Sequence, residues 1–376
     1  MEITFVLTTV ETALGGIARS VPALASAVAR AGVPTRVLAV EAPRMTVAPG
    51  LFAGEGSRLC RNRAELRAEL AHWAAQAGPD RILYHAGVWD PLNHYVARLG
   101  RARGIPVIAS SRSMLDPWAL RHRRWKKRAA WWLYARRDFL GAAAVHATAD
   151  LEARHVRAAG YGGPLMVVPN GIDFPRNPPP RPERPPGAPR RILFLSRIHA
   201  KKGLPDLITA FARSAPPDWE LIIAGNDDGG HESACRALAA RQPSAAARIR
   251  FHGPVADTDK WALYGSADLF VLPSYSENFG LVVGEALAAG VPVITTTATP
   301  WEELPRRGCG WCIPTGTDAL AGSLETACAL PAAERAAMGA RGAAWVREAF
   351  GWDGVGQRFA AGVKDLRSNL RGRFAT

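Results

Sequence analysis

Several things are scarce in this sequence. It holds five cysteines in 376 residues: Cys60, Cys235, Cys309, Cys312 and Cys328. An odd, widely spaced set does not build a disulfide framework and fits a reducing compartment. Cys309 and Cys312 form a lone Cys-x-x-Cys without the second pair that a zinc site would use, so they read as part of a turn. No apolar run approaches the roughly 20 residues that span a bilayer. The short apolar stretch 3–10 has no basic flank before it and no cleavage site after it, so it reads as a strand and not as a secretory signal. There is no Gly-x-Gly-x-x-Gly, which removes the dinucleotide fingerprint, and no short internal repeat. Acid is in short supply: 33 Asp and Glu face 47 Lys and Arg, a formal net charge of +14. Such an imbalance favours an anionic partner, whether nucleic acid, an acidic membrane surface or a phosphorylated substrate. The excess is uneven. Residues 1–174 carry 23 basic and 13 acidic side chains, and the remainder carry 24 and 20.

What is present points to two α/β domains. The chain is too long for one core of ordinary size, and nearly half of it is hydrophobic. Segment 174–191 reads FPRNPPPRPERPPGAPRR; proline at that density excludes a helix or a central strand and predicts a semi-rigid linker. The expected division is therefore 1–174, a linker at 175–190, a second domain at 191–352 and a C-terminal helix, 353–376, crossing back to the first. Each half repeats a strand, a Gly-containing loop and a helix. Strands are predicted at 3–10, 81–85 and 105–109, then at 192–196, 220–224, 249–253, 269–272 and 291–296. Helices are predicted at 15–31, 92–103, 204–213 and 281–289. Alternation of this kind predicts parallel sheets covered on both faces, with a ligand cleft at the carboxyl ends of the strands.

Three loops carry charge or glycine to such strand ends. In 196–204, SRIHAKKGL, Arg197 offers a planar fork and Lys202 a point charge for phosphate oxygens, and Gly203 turns the backbone into a helix start that favours anions. In 273–281, PSYSENFGL, Gly280 opens a helix whose free amides suit a diphosphate. Glu277 lies in that loop, and Glu285 sits in the apolar helix GLVVGEALAAG, where a carboxylate needs partners such as sugar or ribose hydroxyls. Near the first strand, Gly15 and Gly16 permit close backbone approach to a phosphate. Taken singly, each loop also fits a plain structural role, an exposed basic turn or a polar helix face.

Together the loops resemble glycosyltransferase family 4, whose retaining enzymes have two facing Rossmann-like domains, the GT-B fold. The resemblance rests on Glu277 to Glu285 as Glu-x7-Glu in ENFGLVVGEALAAGVPVI, on SRIHAKKG, on VVPNGID at 167–173 and on Gly15-Gly16. Within the family, HAGVWDPLNHY at 85–95 and SRSMLDPWAL at 111–120 look like bacterial enzymes of exopolysaccharide or lipopolysaccharide synthesis. The resemblance implies that Arg197 and Lys202 hold the donor diphosphate, Glu277 the donor sugar and Glu285 the ribose. It implies further that Asn278, Phe279, Gly280 and Leu281 line the diphosphate or sugar, and that the backbone near Val255 flanks the base. Many members carry a histidine after the strand predicted at 105–109. Here Arg112 stands in that place, which points it toward the donor or an anionic acceptor, with His85 as the other candidate on the acceptor side. Retention with a leaving-phosphate oxygen taking the acceptor's proton is likewise implied by the resemblance.

The expected function is therefore metal-independent, cofactor-free transfer from a UDP- or GDP-sugar donor to a glycan or lipid-linked acceptor, with no nucleic acid partner. Asp257-x-Asp259 reads as the cap of a helix and not as a metal site. The alternatives are a nucleotide-sugar epimerase of the same shape, which needs no acceptor, and a basic nucleic-acid-binding protein, for which no stacking motif is present. Segment 119–137, ALRHRRWKKRAAWWLYARR, has eight basic residues and no acid. Trp118, Trp125, Trp132 and Phe139 recur every seven residues, which predicts one helical stripe. Aromatic residues flanked by cations suit an anionic membrane surface, so peripheral attachment to the inner face of the cytoplasmic membrane is expected.

Overall fold

The computed structural model describes residues 1–8, 16–41, 56–76, 80–175, 182 and 185–374, with side chains through Leu370. The chain divides into two compact units, one made of Met1–Gly171 with Phe350–Thr376 and the other of Ile172–Ala349. The first boundary falls three residues before the expected 174, because Ile172 packs against Gly284 of the second unit. Of the proline-rich linker, residues 176–181, 183 and 184 lie outside the described residues.

The first unit holds seven strands: β1 (Glu2–Leu7), β2 (Thr35–Val40), β3 (Arg58–Cys60), β4 (Arg81–Ala86), β5 (Val107–Ser110), β6 (Ala144–Ala147) and β7 (Leu165–Val167). Their order is β3-β2-β1-β4-β5-β6-β7, and every pairing is parallel. The second unit holds β8 (Arg190–Leu195), β9 (Trp219–Ala224), β10 (Ile249–Gly253), β11 (Leu269–Leu272), β12 (Val293–Thr296) and β13 (Gly310–Ile313), in the order β10-β9-β8-β11-β12-β13, again all parallel. The central strands β1, β4, β9 and β11 are buried along nearly their whole length, as a parallel sheet covered on both faces requires. Strand order reverses between β1 and β4 in the first unit and between β8 and β11 in the second. Such switch points open a crevice beyond the strand ends, so the loops after these four strands are the ones that can meet a ligand.

The C-terminal helix Trp352–Phe374 belongs to the first unit's core. Its Val355, Phe359, Val363 and Leu366 lie at most 3% exposed, and each contributes about 1.5–3 kcal/mol by leaving water. Gly356 lets it sit directly on the helix Gly16–Arg30: a Cβ there would come within 2.4 Å of the Ala27 carbonyl oxygen. Phe359 packs edge-on against Tyr84 and His146, so this helix also supports two polar side chains of the sheet.

The segment 117–140 differs from expectation. It is not one helix with a single aromatic stripe. A helix Pro117–Arg121, capped by Asp116, ends at His122, and Arg123 turns left-handed at φ 50°. Helix Arg124–Ala130 then runs into a π-turn, Trp131–Ala135, before Arg136–Leu140. A π-turn inserts one residue and rotates the next stretch of helix by about a third of a turn. Phe139 is consequently buried in the core, whereas Trp125 and Trp132 stay 68% and 72% exposed.

Candidate functional site

In the second unit the two loops at the switch point converge. Beyond β8, Ile198 bridges to Asp227, its amide donating to the Asn226 carbonyl at 2.8 Å. This brings Asp228 to Arg197, whose Nη1 lies 2.5 Å from Oδ2. His199 Nδ1 accepts the Lys201 amide and starts the tight turn Ala200–Lys202. Gly203 is next, at φ +67°, and a Cβ there would stand 2.1 Å from the Pro273 carbonyl oxygen. Only glycine therefore permits this loop to close on the loop after β11. The Tyr275 amide, donating to the Lys201 carbonyl at 2.8 Å, stitches the two together.

That closure puts Lys202 Nζ in direct contact with Glu277 Oε1, with both side chains 8% exposed. Ser274 Oγ donates to the same carboxylate oxygen at 2.8 Å. Burial pushes the Lys202 ammonium below its ordinary pKa, Glu277 opposes this, and the neighbouring charges of Lys201 and Arg197 push the same way as burial. Burial alone would raise the Glu277 carboxyl, but the charges of Lys202 and Lys201 and the two hydrogen bonds hold it below the usual carboxylate range. The ammonium has three N–H donors, and Glu277 takes one. The Lys202–Glu277 pair thus lies in the loop that leads into the helix Leu281–Ala288, whose first backbone amides lack intrahelical acceptors.

Gly280, at φ +75°, and Leu281 form that helix start, with half-buried Asn278 just before it. Phe279 is buried against the Trp301 ring at 5.3 Å, and Trp301 Nε1 donates to the Phe279 carbonyl at 2.6 Å, which fixes the backbone at this point. Glu285, one turn into the helix, has both oxygens engaged: Lys260 Nζ at 2.7 Å and Tyr264 hydroxyl at 2.9 Å. These partners resolve the cost of a carboxylate in an apolar helix. Lys260 and Tyr264 lie four residues apart on the helix Lys260–Gly265, hence on one face, a spacing the sequence displays. Val255 is half-buried in the stretch between β10 and that helix. Asp259 occupies the helix's cap position, yet its side chain makes no capping bond; it accepts from Thr258 Oγ1 at 3.0 Å instead. The capping role expected for it is therefore corrected. Among the described residues, no three His, Cys, Asp or Glu side chains gather as a metal-binding group.

The first unit presents a different constellation at its own switch point. Gly16 opens the helix Gly16–Arg30. Gly15 lies outside the described residues. His85, at the end of β4, is buried, and neither ring nitrogen meets a hydrogen-bonding partner in good geometry. Burial holds its pKa down to about 4, against the weaker opposite pull of Asp138 and the Gly87 backbone, so the ring is neutral near pH 7. Arg112, just beyond β5, is also buried and takes a left-handed backbone at φ 49°. Glu152 stabilises that turn. It accepts from Ser111 Oγ at 2.6 Å, the Ser113 amide at 2.7 Å, and the Thr148 amide and hydroxyl.

Arg112 does not project freely into solvent. Nη1 donates to Asn170 Oδ1 at 2.8 Å and reaches Ser20 Oγ at 3.4 Å, while Nη2 donates to the Tyr84 hydroxyl at 2.9 Å. Tyr84 in turn meets His146 Nδ1 at 2.9 Å, and His146 Nε2 lies 2.8 Å from the Val168 carbonyl. Since a carbonyl only accepts, Nε2 carries the proton and Nδ1 accepts from the tyrosine. Burial, then the charge of Arg112, drives the His146 pKa to about 3 and keeps it neutral. All of these partners of Arg112 are uncharged, and its Nε is buried without an acceptor. This network unites VVPNGID, through Asn170, with the SRS turn, a link that no sequence spacing suggests.

Comparison with known proteins matches two family models to successive parts of the chain. Residues 14–176 match the family model described as Glycosyltransferase Family 4, and residues 178–345 match that of the Glycosyl transferases group 1. A glycogen synthase of Mycobacterium tuberculosis is 35% identical over 182 residues, 47% of this chain and 43% of that protein. A D-inositol 3-phosphate glycosyltransferase of Salinispora tropica is 34% identical over 183 residues, 46% of this chain and 36% of its own length. The matched region thus spans less than half of these relatives. Among solved structures, Anabaena HepE in complex with UDP and glucose superposes with a TM-score of 0.74 at 19% identity, covering 97% of this chain and all of that one.

Proposed function

Because the chain belongs to the group 1, family 4 glycosyltransferases, with two parallel-sheet α/β domains of the GT-B type, we propose that it moves a sugar from a nucleoside-diphosphate donor to an acceptor hydroxyl with retention and without a metal. One observation carries the reading: buried Lys202 pairs with Glu277 in the loop that leads into the helix Leu281–Ala288, and Lys202 shares its own loop with Arg197 and Lys201. In transfer, the bond from the anomeric carbon to the diphosphate oxygen breaks, leaving negative charge on phosphate and positive charge on the sugar. Cations fixed beforehand at that phosphate act where the charge develops. Arg197 and Lys202 hold and neutralise the leaving group, Glu277 orients the donor sugar, and Glu285 receives the ribose hydroxyls. The acceptor oxygen bonds to carbon on the face that the leaving group vacates, and its proton passes to a leaving-phosphate oxygen. A uridine nucleotide is favoured as the donor base, since HepE, of the same fold, is described in complex with UDP and glucose.

The test is a panel of UDP- and GDP-sugars with simple acceptors, with and without EDTA, and then NMR of the product's anomeric centre. Transfer with retained configuration in EDTA supports the reading. An altered sugar formed without acceptor would give the epimerase instead, and activity restored only by Mg²⁺ or Mn²⁺ would remove the metal-independent mechanism.

A specific observation favours a lipid-linked acceptor for a bacterial surface glycan, with the enzyme bound peripherally to the inner face of the cytoplasmic membrane. Trp125, Trp132 and Leu133 are 68%, 72% and 81% exposed. They stand among Arg123, Arg124, Lys126, Lys127, Arg128, Arg136 and Arg137, with Arg124 and Arg128 over the Trp125 ring and Arg136 over Trp132. Exposed aromatic side chains beside cations suit an anionic bilayer surface, where each cation contributes on the order of 1 kcal/mol. Among the described residues, no helix is long and apolar enough to cross a membrane. Co-sedimentation with vesicles containing anionic lipid, but not with neutral ones, supports the reading. Equal behaviour toward both removes it.

A further inference from the structure

Beside the exposed aromatic surface lies a groove of about 560 Å³, walled by His94, Arg98, Arg101 and Ala102 on the helix Pro91–Arg103 and by Leu133, Tyr134, Arg137 and Asp138 opposite. The spacing explains the wall: positions 94, 98, 101 and 102 fall on one face of a helix. Its charges are unequal. Asp138 is buried and fully engaged, with His94 Nδ1 at 2.5 Å on one oxygen and Arg101 Nη2 at 2.7 Å on the other. The side chains of Arg98 and Arg137 are exposed and have no hydrogen-bond or ion-pair partner among the described residues. Two guanidinium forks therefore face one volume with no acid left to neutralise them.

We propose that this groove is a binding site for the phosphate of an anionic phospholipid head group, held by Arg98 and Arg137. The inference rests on the membrane reading and adds a specific site to a diffuse attraction. The shared chemistry is that of a phosphate oxyanion, for which a guanidinium offers paired, directional N–H donors. The apolar rim selects the lipid over a free anion. Leu133 both lines the groove and is the most exposed large apolar side chain among the described residues, and Trp132 beside it is 72% exposed. A free phosphate needs no such rim, whereas a head group arrives with acyl chains that Leu133 and Trp132 can meet. The volume lies in the range of pockets that hold small ligands.

A charge-conserving substitution separates the fork from the diffuse field. Arg98→Lys with Arg137→Lys keeps the net charge but removes the planar donor pairs, and Arg123→Lys with Arg124→Lys makes the same change outside the groove. Neither the Arg98 nor the Arg137 side chain has an internal partner among the described residues, so the first variant should melt with the wild type. Binding to phosphatidylcholine vesicles containing phosphatidylglycerol should weaken at least about tenfold in the first variant, in keeping with the loss of paired directional bonds, and stay near wild type in the second. Wild-type protein that fails to bind anionic vesicles overturns the membrane reading and this site with it. Wild-type binding with no loss in the Arg98→Lys, Arg137→Lys variant overturns the groove alone. In that case, a melting rise with inorganic phosphate at matched ionic strength that the variant lacks would assign the groove to the free anion.

Discussion

Replacing Lys202 with Met tests the donor site and the fold at once. Methionine keeps the apolar length of the lysine stem but leaves Glu277 without its cation in a pocket where both side chains are 8% exposed. Ser274 would remain as a hydrogen-bond donor to it. Breaking a buried pair by removing one partner costs about 3–5 kcal/mol, because the surviving charge stays desolvated. For a unit the size of Ile172–Ala349 this corresponds to a melting fall of roughly 6–20 °C. Turnover should fall by at least about 10²-fold through loss of a charge-stabilising group.

The pH dependence should change sign at this carboxylate. In the wild type Glu277 is held below its ordinary value, so its contribution is present above the usual carboxylate range and is lost as pH falls through the folded pKa. The variant loses the charge and hydrogen bond of Lys202, leaving burial, which raises the carboxyl, opposed by Lys201 and Ser274, so the destabilisation should shrink on acidification. Adding Glu277→Gln to Lys202→Met should recover much of the stability and none of the activity. Urea unfolding and donor turnover, measured on the single and double variants across pH, decide the matter. A single variant as stable as wild type, or a double variant no more stable than the single, would refute the buried-pair argument.

Arg197→Ala should lower turnover by at least about 10²-fold with little change in melting, since its pair with Asp228 is more than a third exposed on both sides and worth little; steady-state kinetics beside a melt checks both. Glu285→Gln should weaken calorimetric binding of UDP itself, whereas Glu277→Gln should mainly impair the intact donor; equal losses on both ligands would contradict the division. Acid should destabilise the first unit between the ordinary histidine pKa of 6.5 and about 4, because His85 is held neutral when folded and takes a proton more readily when unfolded. Chemical denaturation of His85→Leu across that window should show a shallower pH slope than wild type, and an unchanged slope would exclude His85 as its source.

The two loops that meet in the second unit were legible because their signals are local. A strand, a charged turn and a glycine sit close together around SRIHAKKG, and Glu277 and Glu285 fall eight apart around a helix start. The alternation of strands and helices was legible for the same reason. Five strands escaped notice: β3, β6, β7 and β13, which read RLC, AVHA, LMV and GWCI and lack the β-branched run that marks a strand, and the six-residue β2, TRVLAV. Partners were illegible wherever they come from far along the chain. Asp228 meets Arg197 from 31 positions away and Lys260 meets Glu285 from 25. Arg112 draws on Ser20, Tyr84 and Asn170, at separations of 92, 28 and 58, and no sequence spacing announces that set. The aromatic heptad in 118–139 was a true periodicity in the sequence, but the left-handed Arg123 and the π-turn at Trp131–Ala135 break its phase.

Two cations of the second unit are paired with carboxylates. Arg197 faces Asp228 and Lys202 faces Glu277, so each is held in place by a carboxylate. A diphosphate that enters this site must share or displace those carboxylates, which offsets part of the attraction in the ground state. In the proposed transfer the attraction of the cations grows as the anomeric bond breaks and the leaving phosphate gains charge, most of all where the carboxylates have been displaced from them. Contacts that strengthen in this way raise the rate, whereas contacts equal in both states only tighten binding. The Lys202–Glu277 pair thus makes burial of a lysine tolerable, and under the proposed function the cations held in this way meet the charge of the departing phosphate.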